Sequence, residues 1–160
     1  MALSLTAAEV LPGHGLGPIL FSARPEKVET LLGEAYESSF TRDGEDSYVT
    51  LKYPDGVTFY FSLKDGKRLD SFEVNSRSAV WLFGEPLFPR TQDEVVNLLR
   101  LRLLDTGQEA IQVIRNESVE DVIMKVRALG ADFYFDLEGD LQQVHWGVLF
   151  NERDEIAWPS

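Results

Sequence analysis

The chain repeats itself. Residues 17–33, GPILFSARPEKVETLLG, lie without a gap on residues 84–100, GEPLFPRTQDEVVNLLR, with Gly17/Gly84, Leu20/Leu87, Phe21/Phe88, Val28/Val95, Leu31/Leu98 and Leu32/Leu99 identical. Residues 56–63, GVTFYFSL, lie on 130–137, GADFYFDL, and share five of eight positions. The offsets, 67 and 74, keep both matches colinear with one small insertion between them. A repeat of this length means two copies of a supersecondary unit that bury their apolar faces together. The expectation is one domain over 1–160, made of repeat one (11–80) and repeat two (81–157), a size that suits a single core.

Each copy decodes the other. An extended apolar entry (19–21, 87–88) leads into a short amphipathic helix. In copy one Pro25 sits in the first turn, where its missing N–H costs nothing, and Gly33 closes the helix. In copy two Thr91 and Glu94 form a capping box, and the helix runs to about Leu103. Val28, Leu31 and Leu32, and their counterparts Val95, Leu98 and Leu99, form the apolar stripes. Strands follow. Thr58, Tyr60 and Ser62 alternate with Val57, Phe59, Phe61 and Leu63, a period of two with one buried face, and Asp-Gly pairs supply the hairpin turns. Residues 118–129, SVEDVIMKVRAL, have local helical spacing, but the duplication sets them opposite DSYVTLKYPD, so they are read as a strand, as are residues 110–115. The fold class expected is α+β: two β-α-β-β-β units in a mainly antiparallel sheet, with two short helices on one face. The expected core includes Leu20, Phe21, Leu31, Phe59, Phe61, Leu87, Phe88, Phe133 and Phe135.

Motifs that carry chemistry are sparse. Gly13, Gly15 and Gly17 are spaced G-x-G-x-G ahead of an extended run, whereas a dinucleotide loop needs G-x-G-x-x-G ahead of a helix. Their reading is a structural turn. The two histidines, His14 and His145, are isolated, with no metal-ligand spacing, and there is no G-x-S-x-G elbow. No catalytic residue, metal or cofactor is assigned. Asp132, Asp136, Glu138 and Asp140 fall within nine residues, and "DLEGD" lacks the pattern of a calcium loop. With His145 and the tail residue Trp158, these four make up the candidate binding set.

Charge and composition narrow the partner. There is no cysteine, which excludes a disulfide scaffold and a cysteine nucleophile. The first residues lack a signal-peptide pattern, and a cytoplasmic location is expected. The formal charge of −12 argues against nucleic acid and anionic membrane and suits a basic protein. Residues 81–160 hold 15 acids and 7 bases against 12 and 8 before them, so the second half is the more negative.

Residues 12–35, PGHGLGPILFSARPEKVETLLGEA, resemble the opening of a poorly characterised group of bacterial proteins with the pattern G-x-G-x-I-x-F-G-M-S-x-x-E-V-x-x-L-L-G-x-P and an aromatic SFYF strand. Gly15, Gly17, Ile19, Phe21, Val28, Leu31, Leu32 and Gly33 match it, while Ser22-Ala23 and Ala35 depart from it. The doubled acidic unit is also similar in outline to the β-lactamase inhibitor proteins and to the small outer-membrane assembly lipoprotein domain. Those resemblances imply a sheet used as a protein-binding surface. The expectation is a non-enzymatic binding module, monomer or homodimer, that neutralises a basic bacterial toxin as immunity proteins do. The alternatives are self-association through a sheet edge, and a ligand-binding or hydrolytic site pairing His145 with Asp132 or Asp136.

Overall fold

Two runs of alternating apolar and polar residues build the main sheet, and their duplication dictates how it closes. In chain order come β1 (Glu9–Leu11), β2 (Gly15–Leu16), β3 (Ile19–Leu20), helix α1 (Pro25–Leu32), β4 (Glu37–Thr41), β5 (Tyr48–Tyr53), β6 (Val57–Ser62) and β7 (Arg68–Asn75). The second half follows the same course with β8 (Trp81–Leu82), β9 (Glu85–Pro86), helix α2 (Gln92–Arg102), β10 (Ile111–Asn116), β11 (Asp121–Val126), β12 (Ala131–Phe135) and β13 (Leu141–Gly147). This computed structural model describes residues 3–42, 44–103, 111–116 and 121–159. The fold is α+β, with mainly antiparallel sheets and two helices.

The strands form two sheets rather than one. Eight run in the order β10-β11-β12-β13-β7-β6-β5-β4, every neighbour antiparallel. The entry hairpins separate into a small sheet, β3-β2-β1-β8-β9, in which β1 and β8 run parallel and Glu9 accepts the backbone N–H of Gly84 at 2.8 Å. One further strand in copy one is not expected, whereas in copy two the strand expected over 110–115 is β10, with residue 110 outside the described residues. The unexpected strand is β4, ESSFT, whose five side chains are all exposed, so it carries no hydrophobic period to read.

Burial follows the alternation. Val57, Phe59 and Phe61, then Phe72 and Val74, then Phe133 and Phe135, then Val144 and Trp146 point to one face and are essentially inaccessible. Val28 and Leu32 of α1, and Val95, Leu98 and Leu99 of α2, join the same cluster. The capping box of α2 is formed, with Thr91 Oγ1 accepting from the Glu94 N–H at 3.2 Å, and the helix closes at Leu103. Two expected core residues lie elsewhere. Leu20 is 43% exposed because β3 alternates and Ile19 takes the inward place, and Leu31 is half-buried at the margin of its stripe. Of residues 118–129, expected as a strand, Asp121–Val126 form β11 with Met124 and Val126 inward, Arg127–Leu129 form a 3-10 turn, and 118–120 lie outside the described residues. The six-residue ladder of β11 with β10 overrides the local helical spacing.

The registers relate the two halves by a pseudo-two-fold axis. Val57 pairs with Val74 in copy one, and Ala131 with Trp146 in copy two. Since Val57 corresponds to Ala131 in the repeat, Val74 corresponds to Trp146, and Glu73 to His145. Across the seam between β7 and β13, Glu73 faces His145. The axis therefore passes between these two residues. Even the irregularities match, with a bulge after Tyr60 in one copy and after Tyr134 in the other.

Close backbone approach explains two glycines. A Cβ on Gly15 would collide with the carbonyl oxygen of Ile19, so residue 15 is held to glycine by the β2–β3 hairpin and not by a phosphate. Gly130, the counterpart of Gly56, has φ +64°, and a Cβ there would lie 2.6 Å from the carbonyl oxygen of Gly147 on β13. Gly139 has φ +87° but meets nothing within 4 Å. Gly130→Ala is therefore expected to cost about 2–3 kcal/mol and Gly139→Ala about 1 kcal/mol in urea denaturation. Equal losses would mean that the contact with β13 is not what constrains residue 130.

Candidate functional site

On the outward side of the eight-stranded sheet the described side chains line up in rungs, and Thr58, Tyr60, Glu73, Asp132 and His145 along its middle are partly exposed. Reading across the strands through paired residues gives Lys125, Asp132, His145, Glu73, Thr58, Lys52 and Glu37. Opposite charges are neighbours at both ends of this rung, Lys125 with Asp132 and Lys52 with Glu37, which favours cross-strand attraction. Its centre is the axial pair, with His145 Nδ1 3.3 Å from Glu73 Oε1 and each side chain about one-third exposed. At the end of the rung Glu37 and Lys52 are 3.9 Å apart.

The bulge in β7 makes the next feature. Tyr60 pairs with Ser71 and Phe61 with Leu69, so Asp70 is the extra residue. A bulge re-aims side chains, and here Asp70 and Ser71 both line the outward side. They border a cavity of about 350 Å³ with Asp46, Ser47, Tyr48, Tyr60, Ser62, Glu73 and His145. Aromatic rings run along it. Tyr48 and Tyr60 meet edge-to-face with centroids 5.6 Å apart, and Tyr60 lies 6.0 Å from the His145 ring.

Its titratable groups are pulled in different directions. The hydrogen bond from His145 holds the Glu73 carboxyl below its ordinary value, outweighing the opposing effect of burial. Burial pushes the Asp70 carboxyl up, offset only in part by the Ser71 hydroxyl that donates to Asp70 Oδ1 at 3.3 Å. Tyr60 is pushed well above the usual tyrosine value by burial first, and then by the negative charge and hydrogen bond of Glu73. It stays a neutral phenol at any physiological pH. Asp70 makes no ion pair within 4.0 Å among the described residues, and its half-buried charge is offset only in part by the Ser71 hydroxyl, a backbone N–H and the more distant His145.

The six residues singled out in the sequence divide among three places. Asp132 and His145 are neighbours on the central rung, but the carboxylate bonded to the His145 ring is that of Glu73. Asp136, Glu138 and Asp140 lie in and beside the β12–β13 turn, with ligand oxygens within 4.8 Å of one another. The Asp136 carboxylate is occupied by the turn, accepting the N–H groups of Glu138 and Asp140 at 3.0 and 2.9 Å and Gln142 Nε2 at 3.0 Å. Trp158 is half-buried against the core, with the Arg68 guanidinium 5.5 Å above its ring, and Ala157 N–H bonds the carbonyl of Leu149 at 2.8 Å. The tail folds back onto the body. Sequence reasoning missed Tyr48, Tyr60, Asp70 and Glu73. Pairing the last strands of the two copies would have found Glu73, whereas nothing in the residues announces the bulge at Asp70.

Asp70 is ionised at a cost in the folded state. Because its folded value lies above the unfolded one, near 3.9, the penalty is complete at neutral pH and disappears below that unfolded value. Asp70→Asn keeps an acceptor for Ser71 and removes the charge. It is expected to raise the melting temperature at pH 7 and to leave it unchanged near pH 3. A lower melting temperature at pH 7 would mean that the carboxylate is compensated.

Comparison of the chain with protein-family models, curated proteins and solved structures found no match.

Proposed function

We propose that this protein is a non-enzymatic binding module that docks a basic protein on the open face of its eight-stranded sheet, in the manner of an immunity protein neutralising a bacterial toxin. One observation carries the reading. A broad sheet face lies open, and among the described residues its cavity presents three carboxylates and no lysine or arginine. A chain charge of −12 steers a basic partner toward it, and the open carboxylates then fix the register of docking. Asp132 and Glu73 on the central rung and Asp46 and Asp70 at the cavity are the contacts, with the acidic turn at 136–140 at the rim. The module works in the cytoplasm without metal or cofactor. No described helix is long and apolar enough to cross a membrane.

The test is capture of a partner by the purified protein from its native lysate at about 50 and 200 mM salt. One stoichiometric basic protein is expected, held less firmly at the higher salt. The double reversal Asp46→Lys/Asp132→Lys should weaken its binding at least about tenfold, equivalent to about 1.4 kcal/mol. Glu152→Lys/Glu155→Lys, at exposed sites of the C-terminal turn, should leave it unchanged. Equal effects of the two reversals, or no basic partner at either salt, would remove the reading.

A second reading has its own observation. Strand β4 is a sheet edge with all its side chains exposed, among them Phe40 at 53%, and Tyr36 just before it is 65% exposed. Such an edge invites pairing with a second copy. If that is its use, light scattering gives a dimer that Phe40→Lys converts to monomer. A monomer at every concentration excludes it.

A further inference from the structure

We propose that the open-face cavity is a receptor for a guanidinium group, the head of an arginine side chain presented by the partner. The inference deepens the protein-binding reading and rests on it for the identity of the carrier, whereas the cation chemistry stands on the cavity alone.

The lining sets the charge of the occupant. Asp46 comes from the turn before β5, Asp70 from the bulge and Glu73 from the seam, and the one basic group, His145, is already bonded to Glu73. An anion is repelled there, and a neutral molecule leaves Asp70 without an opposite charge within 4.0 Å. A metal ion is the wrong size. A hard cation draws its oxygens to about 2.0–2.6 Å from one centre. Among the described residues the only three acidic groups with ligand oxygens within 4.8 Å of one another are Asp136, Glu138 and Asp140, outside the cavity.

The shape then selects among organic cations. An ammonium is a compact, strongly hydrated point charge, whereas a guanidinium is flat, weakly hydrated, carries five donors around its edge and stacks on aromatic rings. The cavity has acceptors spread over several sides: the carboxylates of Asp46, Asp70 and Glu73 and the hydroxyls of Ser62 and Ser71. Tyr48 and Tyr60 supply the ring surfaces. A volume of about 350 Å³ leaves room for the planar head and part of its methylene stem.

The second copy supplies an internal contrast. There the extra residue of the bulge is Gln142, and Asp136 stands at the position of Ser62. Gln142 Nε2 donates to Asp136 Oδ2 at 3.0 Å. The carboxylate of that half is taken up by two backbone N–H groups and its Gln142 neighbour, while the carboxylate of copy one lines the cavity with Ser71 as its side-chain donor. The pseudo-symmetric face thus holds one cation receptor and not two.

The experiment is an NMR titration of the full chain, at constant ionic strength, with methylguanidinium and separately with methylammonium, following the ring signals of Tyr60 and His145. Methylguanidinium should give saturable shifts and methylammonium at least about tenfold weaker binding. Asp70→Asn, checked for folding by its thermal melt, should lose about tenfold in methylguanidinium affinity. Tyr60→Leu, which keeps every carboxylate, should narrow the preference for the flat cation. Non-saturable shifts, equal affinity for the two cations, or an unchanged constant in Asp70→Asn would each overturn the assignment. Should methylguanidinium bind while no basic protein is captured, the receptor stands and the protein-binding reading falls. Should a basic partner be captured, undiminished by Asp70→Asn and without methylguanidinium binding, the protein-binding reading stands and the receptor falls.

Discussion

Everything in this structure hangs on the antiparallel pairing of β7 with β13. Apart from it, the main sheet is two four-stranded meanders, each with two open edges, and among the described residues the other strand pairing between the halves is that of the short β1 and β8. The seam turns them into one sheet broad enough for both helices to cover one side. It also tolerates no slip. Phe72, Val74, Val144 and Trp146 face inward along the two strands, and a slip of one residue would turn the inward pair of one strand to solvent while burying its Glu73 or His145. The apolar side fixes the register, and the His145–Glu73 contact on the polar side is its consequence.

That order of causes separates what the residues reveal from what they conceal. Duplication and period-two alternation expose the helices, the inward aromatics and the α+β class, because burying apolar surface is the dominant force and leaves a repeated mark. It even settles 121–126 as strand against its local spacing. Strand β4 escapes because an edge with no buried side chain has no pattern, and the small sheet escapes because two-residue strands are too short to show a period. The candidate site is half legible. His145 and Asp132 stand out in the sequence, but the ring of His145 bonds Glu73, on a strand 72 residues earlier. Register across the seam, not proximity in the chain, chooses that partner. Asp70 is invisible altogether, since a bulge is one residue too many in a ladder and no residue type marks it.

The two sides of the sheet have accordingly diverged to different degrees. Inward, Phe59/Phe133 and Phe61/Phe135 are kept in kind, whereas the seam strands exchange sizes, Phe72/Val144 and Val74/Trp146, within one shared core. Outward, the same scaffold carries Asp70 in one half and Gln142 in the other, and Ser62 where the second half has Asp136. Packing holds the frame symmetric, while solvent on the open face leaves each copy free to take up its own chemistry.

The position of Glu73 and His145 on the axis has a consequence for ancestry. In a homodimer of single units, the residue at this place meets its own twin across the two-fold, so an acid faces an acid and a histidine a histidine. Neither arrangement gives an attraction between opposite charges. Once both units lie in one polypeptide, a mutation at one site no longer appears at the other, and the axis becomes the one place where fusion by itself converts like against like into acid against base. The His145–Glu73 contact is therefore one that two identical units could not make across the axis.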